Sequence, residues 1–296
     1  AVGTIAAGGA LGTMIPPSIV LIMFAVTAGV STGELFKATL MPGLMLASFY
    51  MLYIFITCKI SPVKGPILPE EEQLSLLEKL YTMRKLFFPG LIGFSVLGSI
   101  YGGVASVTEA ASVGCVATIV LVLVRKKMTK KNLNGALHDT LITCGKLFWL
   151  SMGATALIGI FNIMGGSAYL QGLVSGLPFS PMGIVIIMML ILALLGMFMD
   201  WIGILILTMP IFIPIIKALE FDPIWFGVLF CMNMQISFIS PPFGPACFYL
   251  KSVAPKEVSL MDIFRGVLPF IGVQVIALAL VMYFPQIALW FPAFIG

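Results

Sequence analysis

Charge is nearly absent from this sequence. Acidic and basic residues make up 9% of it, against 60% hydrophobic residues, where soluble domains carry roughly 25% charged residues. That excludes an ordinary soluble globular protein. It also argues against nucleic-acid binding, because the net charge of +4 comes from cations in loops between apolar runs, not from one basic face. Histidine occurs once, as His138 in a basic loop, which leaves little for general acid–base chemistry. Cys58, Cys115, Cys144, Cys231 and Cys247 are scattered through apolar segments without metal spacing. They read as small buried residues, with neither disulfides nor a zinc site expected. Gly12-Thr-Met-Ile-Pro16 lacks the Lys-Ser/Thr end of a phosphate-cradling loop. With no nucleophile, metal set or redox-cofactor motif, neither an enzyme nor a resident cofactor is expected.

What the sequence has instead is long aliphatic runs of about 20 residues, the length a helix needs to cross a bilayer. Alternating runs of ten, the mark of a membrane barrel, are missing. The expected fold class is an all-α integral membrane protein, a polytopic helical bundle. Two of its apolar runs cannot be continuous helices. In Asn233-Met-Gln-Ile-Ser-Phe-Ile-Ser-Pro-Pro-Phe-Gly-Pro-Ala-Cys-Phe-Tyr-Leu250, Pro241, Pro242 and Pro245 remove backbone donors and clash with earlier carbonyls. Gly8-Gly-Ala-Leu-Gly-Thr-Met-Ile-Pro-Pro-Ser18 repeats the device near the start. Broken backbone at membrane depth persists only where it is buried in protein or lines a wet cavity. Two interrupted segments at matching places are the sequence pointer to a transporter site. A kink alone is the blander reading, and the pairing of two such breaks disfavours it.

Taken in order, a first span over 3–30 is broken at Gly12–Ser18, and Ser31-Thr-Gly-Glu34 reads as a cap for a second span over 35–58. Lys59–Lys85 reads as a polar loop containing a short amphipathic surface helix over Pro69–Tyr81. Leu86–Val124 suits two spans joined near Tyr101–Ser106, followed by the cationic loop Arg125-Lys-Lys-Met-Thr-Lys-Lys131 and a fifth span over 137–164. Met182–Ile216 is too long for one ordinary helix and too short for two spans, so a re-entrant hairpin with its tip near Asp200 is expected. A last span, 266–290, ends in an uncharged tail. The corresponding domains are 1–30 and 182–250 for a transport domain, 31–136 for scaffold and connecting helices, 137–181 for a membrane helix with its loop, and 251–296 for the C-terminal helix. With Arg125–Lys131 in the cytoplasm, this topology places 13 of the 16 basic residues on the same side. The two broken helices then run antiparallel, as an inverted repeat requires. Symmetry asks for a further hairpin ahead of Ala1, and the chain, which starts without Met inside an apolar run, reads as the C-terminal part of something longer.

Among the few charges, Asp200 stands out. A lone carboxylate at mid-membrane costs roughly 2.5–3.5 kcal/mol on insertion scales. It therefore needs a partner, either an ion or backbone amides, or else serves only as a helix cap. Glu109 is read either as an exposed first-turn residue or as an intramembrane group. Trp149, Trp225 and Trp290 fall near span ends, as interfacial anchors do, while Trp201 packs the hairpin tip.

Four stretches together carry a family resemblance: Ala7-Gly-Gly-Ala-Leu-Gly-Thr-Met-Ile-Pro-Pro-Ser18, Thr108-Glu-Ala-Ala-Ser112, Leu195-Gly-Met-Phe-Met-Asp200 and Ser240-Pro-Pro-Phe-Gly244, with Ser252-Val-Ala-Pro255 beyond the second break. In their order and spacing the chain resembles the large membrane subunit of tripartite ATP-independent periplasmic (TRAP) transporters. The resemblance implies an elevator-type secondary transporter in the bacterial inner membrane, with sodium as coupling ion. Its cargo would be an organic acid, a C4-dicarboxylate or a sugar acid such as sialic acid. Its partners would be a periplasmic substrate-binding protein and a small four-helix membrane subunit. By matching motif, Gly9, Gly12, Thr13 and Ser18 would serve one sodium site, and Gly196, Asp200, Gly203, Ser237, Ser240 and Gly244 another. Pro16, Pro17, Asn233, Gln235, Pro241 and Pro242 would border the substrate. A channel, or a one-component sodium–carboxylate symporter of related fold, are the alternatives.

Overall fold

The computed structural model describes residues 2–62, 65, 75–166, 169, 172, 178–255 and 257–295. Regular structure among the described residues is helical throughout: α1 Val2–Leu11, α2 Ile19–Ala28, α3 Thr32–Ile60, α4 Leu76–Tyr101, α5 Val107–Val124, α6 Lys130–Ile163, α7 Pro181–Gly196, α8 Trp201–Ala218, α9 Pro223–Ile239, α10 Pro245–Val253, α11 Leu260–Tyr283 and α12 Gln286–Ile295. Among the described residues, five stretches are long and apolar enough to cross a membrane: Thr32–Ile60, Val107–Val124, Lys130–Phe161, Trp201–Ala218 and Leu260–Tyr283. The chain divides into two compact units, 1–62 with 153–296 and 63–152, the boundary falling inside α6.

The larger unit is built around α9. Asp222 caps it by accepting from Ile224 N at 2.7 Å, and Pro223 takes a first-turn position where no amide is missed. Every residue from Trp225 to Ser237 is buried. Lipid is as apolar as leucine, so helices meet in a membrane through close packing and not through expulsion of water. Glycine makes that packing possible here. A β-carbon on Gly227 would lie 2.5 Å from Phe24 of α2, and the Phe24 ring sits 5.6 Å from that of Phe230. A β-carbon on Gly3 would lie 2.0 Å from the Gly266 carbonyl oxygen, which brings α1 and α11 into backbone contact.

Both breaks fall where proline and glycine placed them, at 12–18 between α1 and α2 and at 240–244 between α9 and α10. The segment 182–216 resolves into α7 and α8, of 16 and 18 residues, joined at 197–200. At roughly 1.5 Å per residue these arms are about 24 and 27 Å long, against an apolar thickness near 30 Å. Ser31 caps α3, accepting from Glu34 N at 3.3 Å.

Several expectations need correction. Leu76–Tyr101 is one helix, not a short surface helix in a loop followed by a separate span. Its start is set by the Ser75–Glu78 capping box, whose hydrogen bonds from Ser75 hold the Glu78 carboxyl below its ordinary range; residues 69–74 of the expected surface helix lie outside the described ones. The next span starts at Lys130, seven residues before Leu137. The last span stops at Tyr283, because Pro285 disfavours helical backbone at Phe284. The uncharged tail then forms α12, which packs on α3. Finally, Trp225 is no interfacial anchor: it is 1% exposed and donates through Nε1 to Val281 O of α11 at 2.9 Å. Trp149 and Trp290 are exposed, but Trp149 stands in the middle of α6 and not at a span end. Of the cysteines, Cys231 and Cys247 are buried, but Cys115 and Cys144 lie exposed on α5 and α6; all five are free thiols.

The smaller unit pairs α4 with α5. Val113, Val116, Ile119, Val120, Leu123 and Val124 of α5 face outward, as lipid-facing side chains do. Glu109 sits in the first turn of α5, where its carboxylate accepts from Ser106 N at 2.7 Å and from Ser106 Oγ at 2.8 Å. Glu109 is thus a first-turn residue of α5 that no other described part of the protein covers.

Candidate functional site

The first break closes on itself. After α1 ends at Leu11, Gly12 N donates to Gly9 O at 3.3 Å and Thr13 Oγ1 to Ala10 O at 2.8 Å. Ser18 Oγ donates back to the Thr13 carbonyl. Gly9, Gly12, Thr13 and Ser18 are thus gathered into one compact turn. The Thr13 carbonyl also receives the Cys231 thiol at 3.6 Å, which sets the first break against the middle of α9. Cys231 lies nine residues ahead of Ser240 in the sequence, or about 14 Å along the helix axis.

The second break is shaped by Gly244. Its φ of +22° lies outside the range of ordinary side chains, and its N–H donates to Ser240 O at 2.8 Å. Ser240 Oγ and Ser237 Oγ donate to Ile236 O and Asn233 O, at 2.8 and 3.1 Å. A hydroxyl spent this way keeps its oxygen lone pairs for another partner.

Against this break lies the tip of the α7–α8 hairpin. A β-carbon on Gly196, the last residue of α7, would stand 1.8 Å from Ser237 Oγ. Asp200 begins α8, its carboxylate accepting from Ile202 N at 3.2 Å. The capping role is therefore real, and the side chain remains exposed. Between tip and break is a recess lined by Gly196, Met199, Asp200, Ser237, Phe243 and Pro245 among others. Four helix ends meet around it: the C-terminal ends of α7 and α9, and the starts of α8 and α10. C-terminal ends present carbonyls and partial negative charge, whereas N-terminal ends present amides and partial positive charge. Its volume is about 10 Å³, room for one water-sized particle and far too little for an organic acid.

Other expected residues lie nearby but not in this recess. Gly203 is one turn into α8, beside the Met199 methyl. Asn233 is buried in the α7–α9 contact, donating from Nδ2 to Met189 O at 2.8 Å. Gln235 is 0% exposed, with both ends of its amide unpartnered. Pro16 is buried, Pro17 exposed, Pro241 half-buried and Pro242 exposed. Sequence reasoning passed over Met199, Met234, Phe238 and Phe243, which complete the recess wall. Methionine and phenylalanine in an apolar run give no signal that separates lining from packing.

One further regularity concerns the helix starts. In α3, α4, α5, α7, α8, α9 and α11, a side-chain oxygen at the N-cap accepts from a first-turn amide. In α2 and α10, the second halves of the two broken helices, no side chain does. Their first turns carry uncompensated positive potential.

Comparison with known proteins agrees with this architecture. The family model described as tripartite ATP-independent periplasmic transporter, DctM component, matches residues 1–287. The C4-dicarboxylate TRAP transporter large permease protein DctM of Vibrio cholerae is 30% identical over 99% of this chain and 68% of its own length. Its namesake from Pseudomonas aeruginosa is 31% identical over 99% and 67%. The sialic acid TRAP transporter large permease protein SiaM of Vibrio cholerae is 29% identical over 98% and 66%. The chain thus spans about two thirds of the length of these relatives. It is a multi-pass membrane protein that belongs to the DctM family of TRAP transporter large permeases, a transport protein and not an enzyme.

Proposed function

We propose that this permease takes up an organic acid across the bacterial inner membrane, driven by a sodium gradient, and that the recess between hairpin and broken helix holds a coupling sodium ion. The observation that carries this reading is the meeting of four helix ends around a space of about 10 Å³. A cation of that size gains from the carbonyl ends of α7 and α9, from the Ser237 oxygen and from the Asp200 carboxylate. A second sodium ion is assigned to the turn of Gly9, Gly12, Thr13 and Ser18. In elevator fashion, the hairpin and broken helices carry the loaded site across as one body. The hairpin is re-entrant in this cycle, entering and leaving the membrane on one side.

The substrate is an anion, and the uncapped starts of α2 and α10 supply the positive ends that a carboxylate seeks. Pro16, Pro17, Pro241 and Pro242 precede those starts, with Asn233 and Gln235 on the buried side of the second break. Relatives named as transporters of C4-dicarboxylates and of sialic acid, both organic acids, support this choice of cargo. Sodium offsets the substrate's charge and orders the broken backbone, so that a loaded site crosses and a half-loaded one stays. A periplasmic binding protein delivers the acid, and a small four-helix subunit completes the membrane complex.

The test is uptake by the full-length permease with its small subunit in proteoliposomes, with sodium, membrane potential and binding protein varied independently. Uptake requiring both sodium and binding protein is the expected result. Sodium-dependent uptake without any binding protein would move the protein to one-component symport. Flux without a sodium gradient would make it a channel and remove the rationale for the ion sites.

A further inference from the structure

We propose that the turn joining α5 to α6 is a binding site for the headgroups of anionic phospholipids. Arg125, Lys126, Lys127, Lys130 and Lys131 fall within seven consecutive residues, and all five are exposed. Among the described residues the one ion pair is His138–Asp139, so no carboxylate among them pairs with the cluster.

The turn is held in shape by its own backbone. Lys126 N donates to Leu123 O at 2.9 Å and Lys127 N to Val122 O at 3.0 Å. Lys126 adopts a left-handed φ of +53°, and Asn132 Nδ2 ties the Lys127 carbonyl at 3.0 Å. The Arg125 guanidinium lies 5.7 Å from the centre of the Phe88 ring, which anchors one edge to α4. The lysines are therefore presented from a fixed frame, around a helix start whose amides add positive potential.

The surface beneath the cations makes a lipid the occupant. Val120, Leu123 and Val124 at the end of α5 are exposed, as are Leu133, Leu137 and Leu141 in the opening turns of α6. Phosphate and acyl chain thus find adjacent cationic and apolar surfaces, which a free phosphate ion would not need. Cation clusters at a membrane surface attract anionic lipid by about fivefold per lysine or arginine. A cluster of this kind does more than set orientation, because it retains particular lipids at this turn.

The experiment places the full chain in nanodiscs of mixed phosphatidylglycerol and phosphatidylcholine, then measures by native mass spectrometry which lipids stay bound. The wild type should retain phosphatidylglycerol over phosphatidylcholine by at least about fivefold. K126Q/K127Q/K130Q/K131Q should retain the two lipids near their bulk ratio. The matching Lys→Arg variant and the pair K59Q/K217Q, which lies outside this turn, should keep the wild-type preference. Should the quadruple Gln variant fail to insert, Lys126→Gln and Lys130→Gln singly read the same ratio and should each lower it. An undiminished preference in the Gln variants overturns the proposal. So does displacement of the lipid by millimolar inorganic phosphate, which would mean that the site reads the ion alone.

Discussion

Gly196 and Ser237 touch so closely that no β-carbon fits between them: one on Gly196 would stand 1.8 Å from Ser237 Oγ and 2.4 Å from Ser237 Cβ. This contact seats the hairpin tip on the second broken helix and fixes the size of the recess beside it. Gly196→Ala should therefore destabilise the protein by about 1–3 kcal/mol, read as a lower unfolding temperature in detergent, and reduce uptake. Adding Ser237→Gly should restore much of the lost stability, since it removes both clashing atoms, but not the uptake, because the Ser237 oxygen goes with them. Adding Ser237→Ala should not, because Cβ remains. Full activity of Gly196→Ala alone would mean that the tip does not sit there during transport.

A parallel test concerns α1 and α11. A β-carbon on Gly3 would meet the Gly266 carbonyl oxygen at 2.0 Å, whereas one on Gly266 would find its nearest neighbour, Gly3 N, at 3.2 Å. Alanine is favoured over glycine within a helix by up to about 1 kcal/mol. Gly3→Ala should still destabilise strongly, while Gly266→Ala should be close to neutral. Thermal unfolding of the two variants side by side checks the asymmetry, and equal effects would contradict it.

Trp225 joins α9 to α11 through the bond from its Nε1 to Val281 O. Trp225→Phe keeps an aromatic ring but leaves a buried carbonyl unpaired, a cost of about 1–3 kcal/mol. The same substitution at Trp149, which is exposed on α6, should cost far less. Thermal unfolding of the two variants compares them directly.

Glu109 is engaged by Ser106 in the capping box at the start of α5. Ser106→Ala should cost about 1 kcal/mol of stability. Glu109→Gln, which retains an oxygen able to accept from Ser106 N, should leave the sodium dependence of uptake unchanged. A marked rise in the sodium requirement of Glu109→Gln would assign that carboxylate to ion binding instead.

The parts of the fold legible in the sequence were those written in backbone chemistry. Pro16-Pro17 and Pro241-Pro242 announced both breaks because proline removes a donor wherever it stands. The hairpin turn was legible because Gly196 and Asp200 interrupt an aliphatic run of ambiguous length. Residues whose meaning depends on a distant neighbour were not. Trp225, following Asp222-Pro223, looks like an interfacial anchor until Val281 is placed beside it. Cys231 looks like filler until the Thr13 carbonyl is found 3.6 Å away. The start of α4 at Ser75–Glu78 was hidden behind the acids Glu70, Glu71 and Glu72, which mimic a first turn equally well. For α12, nothing in an uncharged tail distinguishes a helix packed on α3 from loose chain.

The measurement that most directly tests the ion-binding recess is the sodium dependence of uptake by Asp200→Asn in proteoliposomes, compared with wild type. Asparagine caps a helix as well as aspartate does, so the bond to Ile202 N survives and only the charge is lost. The sodium concentration giving half-maximal uptake should rise at least about tenfold, equivalent to ~1.4 kcal/mol, with the amount of assembled protein unchanged. An unchanged sodium requirement with undiminished maximal uptake would contradict a coupling ion beside Asp200.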